Sequence, residues 1–202
     1  MILVTGFEPF GTHKANPSEE IARALAGRRF GAHDVRGVVL PVHHREAAAR
    51  VEALLGEADP DAIVHIGLAE ARARLALERV AVNVMDYSIA DNADYQALGE
   101  PCVAGGPVAY FATLPLREIV AALTAEGIPA YVSNTAGTYL CNQTLYSSLH
   151  TVARTGHRAR VGFVHLPLSP AMVAAAGVEL PSMDVPLALR GLETVLRVVA
   201  AA

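Results

Sequence analysis

Short apolar runs alternate with longer segments of helical periodicity along the whole chain, and this alternation strongly constrains the fold. Strand-like runs occur at residues 2–5, 35–42, 61–67, 128–132 and 160–166. They are short, rich in Val, Ile and Leu, and bounded by turn residues, as strands buried in a parallel sheet are. Because strands that alternate with helices form layered proteins, we predict an α/β fold with a largely parallel sheet between helices.

The segments between these runs carry helix signals. Asn16 followed by Pro17 is typical of a helix start, with Asn as the cap and Pro in the first turn. Pro115 indicates a break or kink inside a longer helical segment. Helices are predicted at residues 20–26, 45–55, 106–126, 139–154 and 184–201.

The composition favours a single globular domain over residues 1–202. Hydrophobic residues make up 52% of the chain and charged residues 18%, which favours a large buried core over disorder. The formal net charge of -4 is mild and the basic residues form no stripe, so we expect no nucleic-acid partner. The longest weakly charged stretch, residues 161–178, is interrupted by Pro167 and Pro170, so we expect no membrane span.

The start of the chain and its cysteine content predict where the protein resides. A strand-like run begins at Ile2, and no basic segment followed by an apolar core precedes it, so we expect no signal peptide. Two cysteines in a chain of this size do not make a disulfide framework. We therefore expect a reduced, cytoplasmic protein.

Metal ions and nucleotides are not indicated as ligands. The pair His43-His44 has no Cys, Asp or Glu at metal-ligand spacing, so we expect no metal site. Gly6 follows the first strand as in a dinucleotide-binding fold, but Phe-Glu-Pro-Phe stands where further glycines would approach a pyrophosphate. A nucleotide-binding or phosphorylase-like protein stays a remote alternative.

Cys141 is a candidate nucleophile because of where it stands in the chain. A glycine-containing turn follows the run at residues 128–132, and the next helical segment begins almost at the cysteine. The first turn of a helix favours a thiolate through its free N–H groups and its dipole. Free cysteine is nevertheless among the most buried residue types, and on the cysteine alone a packing role is favoured. We expect Cys102 to be buried and inert.

His165 and Glu78 are the candidate partners of that thiol. His165 stands near the end of a predicted strand, where ligand sites of open α/β sheets lie, whereas His65 stands before a strand end and is interpreted as structural. Residues 75–84 alternate as a strand does, and Glu78 has the same parity as Val80, so it is expected to point to the same, buried face. A core histidine and a salt bridge from Glu78 to Arg72 or Arg79 are the structural alternatives.

Four motifs, in order, give the chain a resemblance to a known family over its whole length. They are GFEPFG with ANPS (residues 6–11 and 15–18), ERVAVN with DN (78–83 and 91–92), SNTAGTYLCNQTLY (133–146) and GFVHLP (162–167). The chain resembles the pyroglutamyl-peptidase I (pyrrolidone-carboxylate peptidase) family of cysteine peptidases. The resemblance implies a single-domain, three-layer α/β/α sandwich with a mostly parallel, mixed central sheet.

The resemblance also implies an activity and the roles of three residues. The activity is removal of an N-terminal pyroglutamyl residue from peptides, a thiol-protease hydrolysis through a thioester. The implied catalytic residues are Cys141 as nucleophile, His165 as general base and acid, and Glu78 as the group that orients His165. No cofactor is implied, the partners are N-terminally pyroglutamylated peptides, and a homo-oligomer (tetramer or dimer) is expected.

The pocket residues implied by the resemblance are mostly apolar. Pyroglutamate has no free α-amine, so a site that accepts it needs apolar walls and a few hydrogen-bond partners for the lactam. The implied substrate-binding or supporting residues are Phe7, Phe10, Asn16, Ile89, Tyr139 and Leu140.

Three departures from the family pattern define the alternative function. Ser88 stands where many members carry an arginine associated with the oxyanion region, and Ala90 replaces the usual proline. Glu70-Ala71 replaces a glycine pair before Arg72. The alternative is a weakly active or inactive homologue that binds pyroglutamyl or other lactam ligands.

Overall fold

The computed structural model describes residues 1–202, which form a seven-stranded central sheet, two small two-stranded sheets and six helices. The strands are β1 (Ile2–Phe7), β2 (Arg29–Phe30), β3 (His33–Leu40), β4 (Ala62–Leu68), β5 (Leu75–Glu78), β6 (Val80–Val82), β7 (Met85–Asp86), β8 (Leu98–Glu100), β9 (Ala109–Phe111), β10 (Ala130–Ser133) and β11 (Arg160–Leu166). The helices are α1 (Pro17–Leu25), α2 (His44–Ala58), α3 (Leu116–Ala125), α4 (Leu140–Thr155), α5 (Pro170–Ala176) and α6 (Val185–Ala201).

The central sheet is mixed but mostly parallel, as predicted. Its strand order is β10-β5-β11-β4-β1-β3-β2. The neighbours β11, β4, β1 and β3 all run parallel, and β10 runs parallel to β5. Only β5 against β11 and β2 against β3 are antiparallel. The chain therefore places the carboxyl ends of β1, β3, β4 and β11 at one edge of the sheet.

Helices cover both faces of this sheet, which makes the three-layer sandwich. One core cluster joins α1, α3 and α6 to one face, with Ile21, Leu123 and Leu192 completely buried. The other joins α2 and α4 to the opposite face, with Leu54 and Leu145 completely buried. Because successive strand residues point to opposite faces, strands buried on both sides read as the continuous apolar runs seen in the sequence. No helix has the length and apolar character needed to cross a bilayer.

Two sequence predictions are wrong in detail. Residues 109–111 form β9, which pairs with β6, whereas a helix was predicted over 106–126 and only its second half, α3, exists. Helical periodicity is overridden there because Tyr110 packs on Tyr146 and hydrogen-bonds His150 of α4 at 2.9 Å. The predicted strand over 75–84 is divided at Arg79 between two different sheets.

Gly6 allows the start of α1 to lie directly against β1. A Cβ on Gly6 would lie 2.1 Å from the Ser18 carbonyl oxygen. This close approach lets the Ser18 hydroxyl accept a hydrogen bond from the Phe7 N–H at 3.0 Å. Only a residue without a side chain permits such contact between two backbones.

We expect Gly6→Ala to destabilise the protein by about 3 kcal/mol, because backbone atoms must move to make room for the methyl group. Gly56→Ala is the matched control, since Gly56 lies in α2 with nothing within 4 Å of an added Cβ. There the substitution is expected to raise stability by up to about 1 kcal/mol through helix propensity. Urea unfolding measures both changes, and equal effects of the two substitutions would contradict the packing argument.

Candidate active site

The strand register brings Cys141 and His165 together. His165 on β11 stands opposite Gly67 on β4, and residues in register on parallel strands project to the same face about 5 Å apart. A Cβ on Gly67 would lie 3.0 Å from the Cys141 Sγ. The thiol therefore occupies the space above Gly67, next to the imidazole of His165.

Glu78 holds His165 from the other side. Its Oε1 atom lies 2.8 Å from the His165 Nδ1, and both side chains are almost completely buried. Burial lowers the pKa of His165 and outweighs the opposite effect of the Glu78 charge, so the imidazole is neutral at pH 7. Because a carboxylate only accepts hydrogen bonds, Nδ1 carries the proton and Nε2 keeps its free lone pair. His165 is thus prepared to accept a proton.

Cys141 lies in the first turn of α4, as predicted from the sequence, but its electrostatics differ from the prediction. The helix start favours a thiolate, whereas burial raises the pKa of the Cys141 thiol to about 12 and the Glu78 charge adds to this effect. Arg72 acts in the opposite direction. The resting thiol is therefore protonated, and it needs a base to become a nucleophile.

The chain reaches Cys141 from a strand that ends at the other edge of the sheet. β10, which precedes Cys141, runs antiparallel to β11, so its carboxyl end does not lie at the edge where β1, β4 and β11 end. Residues 134–139 instead carry the chain back toward that edge before α4 begins. Asn142 then anchors the helix by bonding the backbone of Val82 in both directions at 2.9 Å.

Glu78 is completely buried, and both of its anticipated interactions are present. The sequence left open whether it binds an imidazole or an arginine, and its Oε1 accepts a hydrogen bond from His165 and forms an ion pair with Arg72 at 3.0 Å. The parity argument behind its burial was wrong, because Val80 and Val82 are half-buried and Ala81 is the buried residue of β6. Glu78 is buried because β5 lies between β10 and β11 in the central sheet.

A small, largely apolar pocket opens above the thiol. It brings together Cys141 and five of the six predicted substrate-binding residues, and it adds two residues that the sequence did not indicate. Its lining consists of Phe7, Phe10, Asn16, Val42, Leu68, Tyr139, Leu140 and Cys141. Ile89, the sixth predicted residue, instead lines an adjoining outer groove that shares Phe10 with the pocket. Val42 lies just past the end of β3 and Leu68 is the last residue of β4, and both were missed because an apolar side chain at a strand end carries no chemical signal.

The loop that carries Phe7 and Phe10 is held by polar side chains. Asn16 caps α1 by accepting from the Ser18 N–H at 3.0 Å, and it donates to the Glu8 carbonyl at 3.0 Å. Glu8 in turn accepts from the Asn92 amide at 2.9 Å. These bonds give Asn16 a supporting role in the structure, and they explain why the motif residues around Glu8 and Asn92 belong together.

Asp91 lies beside His43 and His44, a contact that sequence spacing did not indicate. The polar atoms of the three residues lie within 4.8 Å of one another. His44 donates to Asp91 from its backbone N–H and from Nδ1, at 2.9 and 2.8 Å. Burial alone raises the pKa of Asp91, but hydrogen bonds from His44, Tyr95 and Ala93 lower it to about 2. The His43 Nδ1 accepts from the first N–H groups of α2, so these polar groups join α2 to the loop before Tyr95.

Three further residues from the sequence analysis, His65, Cys102 and Ser88, lie outside the pocket. His65 is completely buried between Thr5 (2.6 Å) and Ser148 (2.8 Å), and burial lowers its pKa to about 3, in keeping with a structural role. Cys102 is half-buried, and burial raises its pKa to about 12. Ser88, which replaces the family arginine, is exposed.

Comparison with known proteins gives one consistent result. A family model described as "Pyroglutamyl peptidase" matches residues 1–202. A pyrrolidone-carboxylate peptidase of Pyrococcus furiosus is 44% identical over 200 residues, covering 98% of this chain and 96% of its own length. Pyrrolidone-carboxylate peptidase 1 of Ralstonia nicotianae is 44% identical over 97% of this chain and 93% of its own length.

The fold agrees equally well with solved structures. Pyrrolidone carboxyl peptidase from Pyrococcus furiosus superimposes with a TM-score of 0.96 at 42% identity, covering 99% of this chain and 98% of the other. The similarity therefore extends through the central sheet, the helices on both faces and the segments that line the pocket. From the family match and these identities, the chain belongs to the pyroglutamyl peptidase family.

Proposed function

We propose that the protein hydrolyses the bond after an N-terminal pyroglutamyl residue, with Cys141 as nucleophile, His165 as general base and acid, and Glu78 as the group that orients His165. The observation that carries the proposal is the arrangement of Cys141, His165 and Glu78 beside the apolar pocket. A neutral imidazole, held through Nδ1 by a buried carboxylate, stands next to a thiol on the same sheet face. A nucleophile, a base and an orienting group are what acyl transfer requires.

The reaction follows from the protonation states. The His165 Nε2 takes the proton of the Cys141 thiol as the sulfur attacks the pyroglutamyl carbonyl carbon. The resulting imidazolium, stabilised by Glu78, gives that proton to the leaving amine, and a thioester remains on Cys141. Water then attacks the thioester and loses a proton to His165, the Cys141 sulfur leaves as a thiolate and takes that proton back, and free pyroglutamate is released.

The start of α4 supplies a way to stabilise the oxyanion. Tyr139, the residue before the helix, makes no side-chain cap bond, so the first-turn N–H groups are open to a ligand. The N–H of Cys141 lies next to the attacking sulfur, where charge develops on the carbonyl oxygen. Such a donor typically contributes about 3 kcal/mol to catalysis. We propose that this backbone group carries the oxyanion contribution, because Ser88 provides no positive charge.

The pocket supports selectivity for a lactam over a charged N-terminus. Phe7, Phe10 and Leu140 offer apolar contact, and no acidic side chain lines the pocket to receive an ammonium group. A charged α-amine placed there would lose its hydration without compensation. Pyroglutamate has the size of proline without that charge, so the pocket favours it.

The test compares two anilide substrates of the purified protein. We expect release of the chromophore from pyroglutamyl anilide and at least about 100-fold slower release from prolyl anilide, whose ring is similar but charged. Equal rates with the two substrates would contradict the pocket assignment, and no hydrolysis of either would contradict the activity. The binding-only alternative predicts calorimetric binding of pyroglutamate without turnover, and no feature of the site favours it.

We also propose that the protein is a homo-oligomer, acting as one catalytic domain of residues 1–202 per subunit in a reducing, cytoplasmic compartment. Three large apolar side chains support the oligomer, because Leu98, Val108 and Phe111 are exposed by 76%, 87% and 71%. The two free thiols, Cys102 and Cys141, support the reducing compartment. Light scattering of the purified chain gives the oligomeric state.

A further inference from the structure

We infer that Arg72 is a positioning residue of the site: its guanidinium fixes the Glu78 carboxylate that holds His165, and its positive charge sets the charge balance of the thiol–imidazole pair. The inference rests on the proposed function and adds a fourth group to it. From the sequence, Arg72 is indicated only as a possible salt-bridge partner of Glu78. The structure places it and His165 on the same carboxylate oxygen, so the two interactions act together instead of excluding each other.

The geometry around Arg72 is specific. One terminal nitrogen lies 3.0 Å from the Glu78 Oε1 and donates to the Tyr131 hydroxyl at 2.9 Å. The other terminal nitrogen donates to the Thr135 carbonyl oxygen at 3.3 Å. The Arg72 side chain is only 20% exposed, so solvent screens its interaction with Glu78 weakly. The guanidinium thus joins β5, β10 and the segment that leads to Cys141.

Glu78 depends on this contact because its other oxygen has no partner. Oε2 is buried and makes no hydrogen bond, so every polar interaction of the carboxylate passes through Oε1. A buried carboxylate with one free oxygen can rotate about its last bond unless a second group holds it. Arg72 is that group, and without it the Nδ1 contact of His165 is the only restraint.

The backbone before Arg72 is strained. Ala71 has a φ of 62°, in the left-handed region that residues with a Cβ rarely adopt. This is one of the two positions where the family resemblance leads us to expect glycine. The turn keeps a glycine-type conformation although an alanine occupies it, and Glu70 beside it is paired with His13 at 2.7 Å. The strain is tolerated at the residue that directs Arg72 toward Glu78.

The electrostatic consequence follows from the sign of one charge. The titratable and charged groups that face the His165–Cys141 pair are Glu78 from β5, Arg72 from the preceding turn and Tyr139 from the start of α4. Tyr131 from β10 bonds Arg72 and adds a hydroxyl. The positive charge of Arg72 lowers the pKa of His165 and the pKa of Cys141, against the larger effect of burial on the thiol. Its removal therefore raises both pKa values.

The experiment removes the charge and follows the pH dependence. In Arg72→Gln, both limbs of the kcat/KM profile for pyroglutamyl anilide are expected to move to higher pH by about one unit. The maximum of the profile is expected to fall about 100-fold because His165 loses its fixed orientation. Arg72→Lys, which keeps the charge but not the planar guanidinium that contacts Glu78, Tyr131 and Thr135 together, should restore the limbs and recover the maximum only in part.

Arg74→Gln is the matched control, because Arg74 lies two residues away with its guanidinium 4.4 Å from the centre of the Tyr131 ring. It removes the same charge without touching Glu78, and its pH profile should coincide with that of the unsubstituted protein. If Arg72→Gln does not fold, Arg72→Met keeps the aliphatic stem and carries the same expectation. Limbs that stay in place in a folded Arg72 variant without the charge would overturn the inference.

A second readout separates this inference from the proposed function. In a Cys102→Ala background, iodoacetamide alkylates only Cys141, and the rate reports the thiolate without requiring turnover. The midpoint of its pH dependence should rise by about one unit in Arg72→Gln and stay constant in Arg74→Gln. An alkylation midpoint unchanged by Arg72→Gln counts against Arg72, whereas absence of hydrolysis in every variant, with a shifted midpoint, counts against the peptidase function alone.

Discussion

Replacement of Cys141 by alanine is expected to lower kcat for pyroglutamyl anilide by about 10⁴-fold or more. The reason is that no other side chain lining the pocket stands beside His165, where it could form an acyl intermediate. The one hydroxyl in the lining of the pocket, that of Tyr139, donates to the Ala90 carbonyl at 3.1 Å. Removing the Cys141 sulfur leaves the apolar walls and the helix N–H groups, which bind the substrate but do not attack it. Stability should change little, because the side chain is small and Cys141 is only half-buried.

Cys102→Ala is the control for this change. Cys102 is the other free cysteine, and it is half-buried beside the Val82 carbonyl, outside the pocket lining. The Cys102→Ala variant should keep most of its activity, so that the loss of activity in Cys141→Ala can be assigned to the Cys141 thiol. Steady-state rates and thermal unfolding of the two variants make the comparison. Comparable activity in Cys141→Ala and the unsubstituted protein would remove Cys141 from the mechanism.

The second large effect is expected for Glu78→Gln, which should lower kcat by about 10³- to 10⁴-fold. A glutamine amide can donate a hydrogen bond to Nδ1, and the proton of His165 then moves to Nε2, the atom that must receive the thiol proton. The substitution also leaves the Arg72 charge facing a neutral group in a buried site, where solvent screens that charge only weakly. The protein should still fold, because the shape of the side chain is unchanged.

Glu57→Gln provides the matched change on the surface of α2, where Glu57 is half-exposed and paired with Arg50. It should leave kcat unchanged. The decisive comparison is the pH profile, because a wrong tautomer of His165 lowers kcat at every pH. Glu78 raises the pKa of both His165 and Cys141, so an activity loss in Glu78→Gln that disappears at lower pH would instead mean that Glu78 acts only through its charge.

The layered fold could be predicted because buried strands appear in the local sequence as short apolar runs bounded by turn residues. The run at residues 160–166 became β11 at the same bounds, and Asn16 and Pro17 marked the start of α1. The direction of β10 and β5 could not be predicted, since it depends on which neighbours the strands find. The strand β9 was missed for the same reason, because Tyr110 is held by contacts with Tyr146 and His150 far along the chain.

The site could be predicted in part. The positions of Cys141 at a helix start and of His165 near a strand end were visible in sequence, and they indicated a nucleophile and a base. The protonation state of the thiol could not be predicted, because burial raises its pKa against the effect of the helix start. Burial is a property of the whole fold and cannot be read from the residues around Cys141. The shared contact of Arg72 and His165 on Glu78 is likewise a three-body feature that strand parity cannot show.

Cys141 is expected to carry the pyroglutamyl group during turnover. Acid quenching of the protein during hydrolysis of a pyroglutamyl ester, followed by mass spectrometry of its peptides, tests this most directly. We expect a mass increase of one pyroglutamyl group on the peptide that contains Cys141, absent in Cys141→Ala. Continued turnover with no adduct on that peptide, or an adduct on another residue, would contradict it.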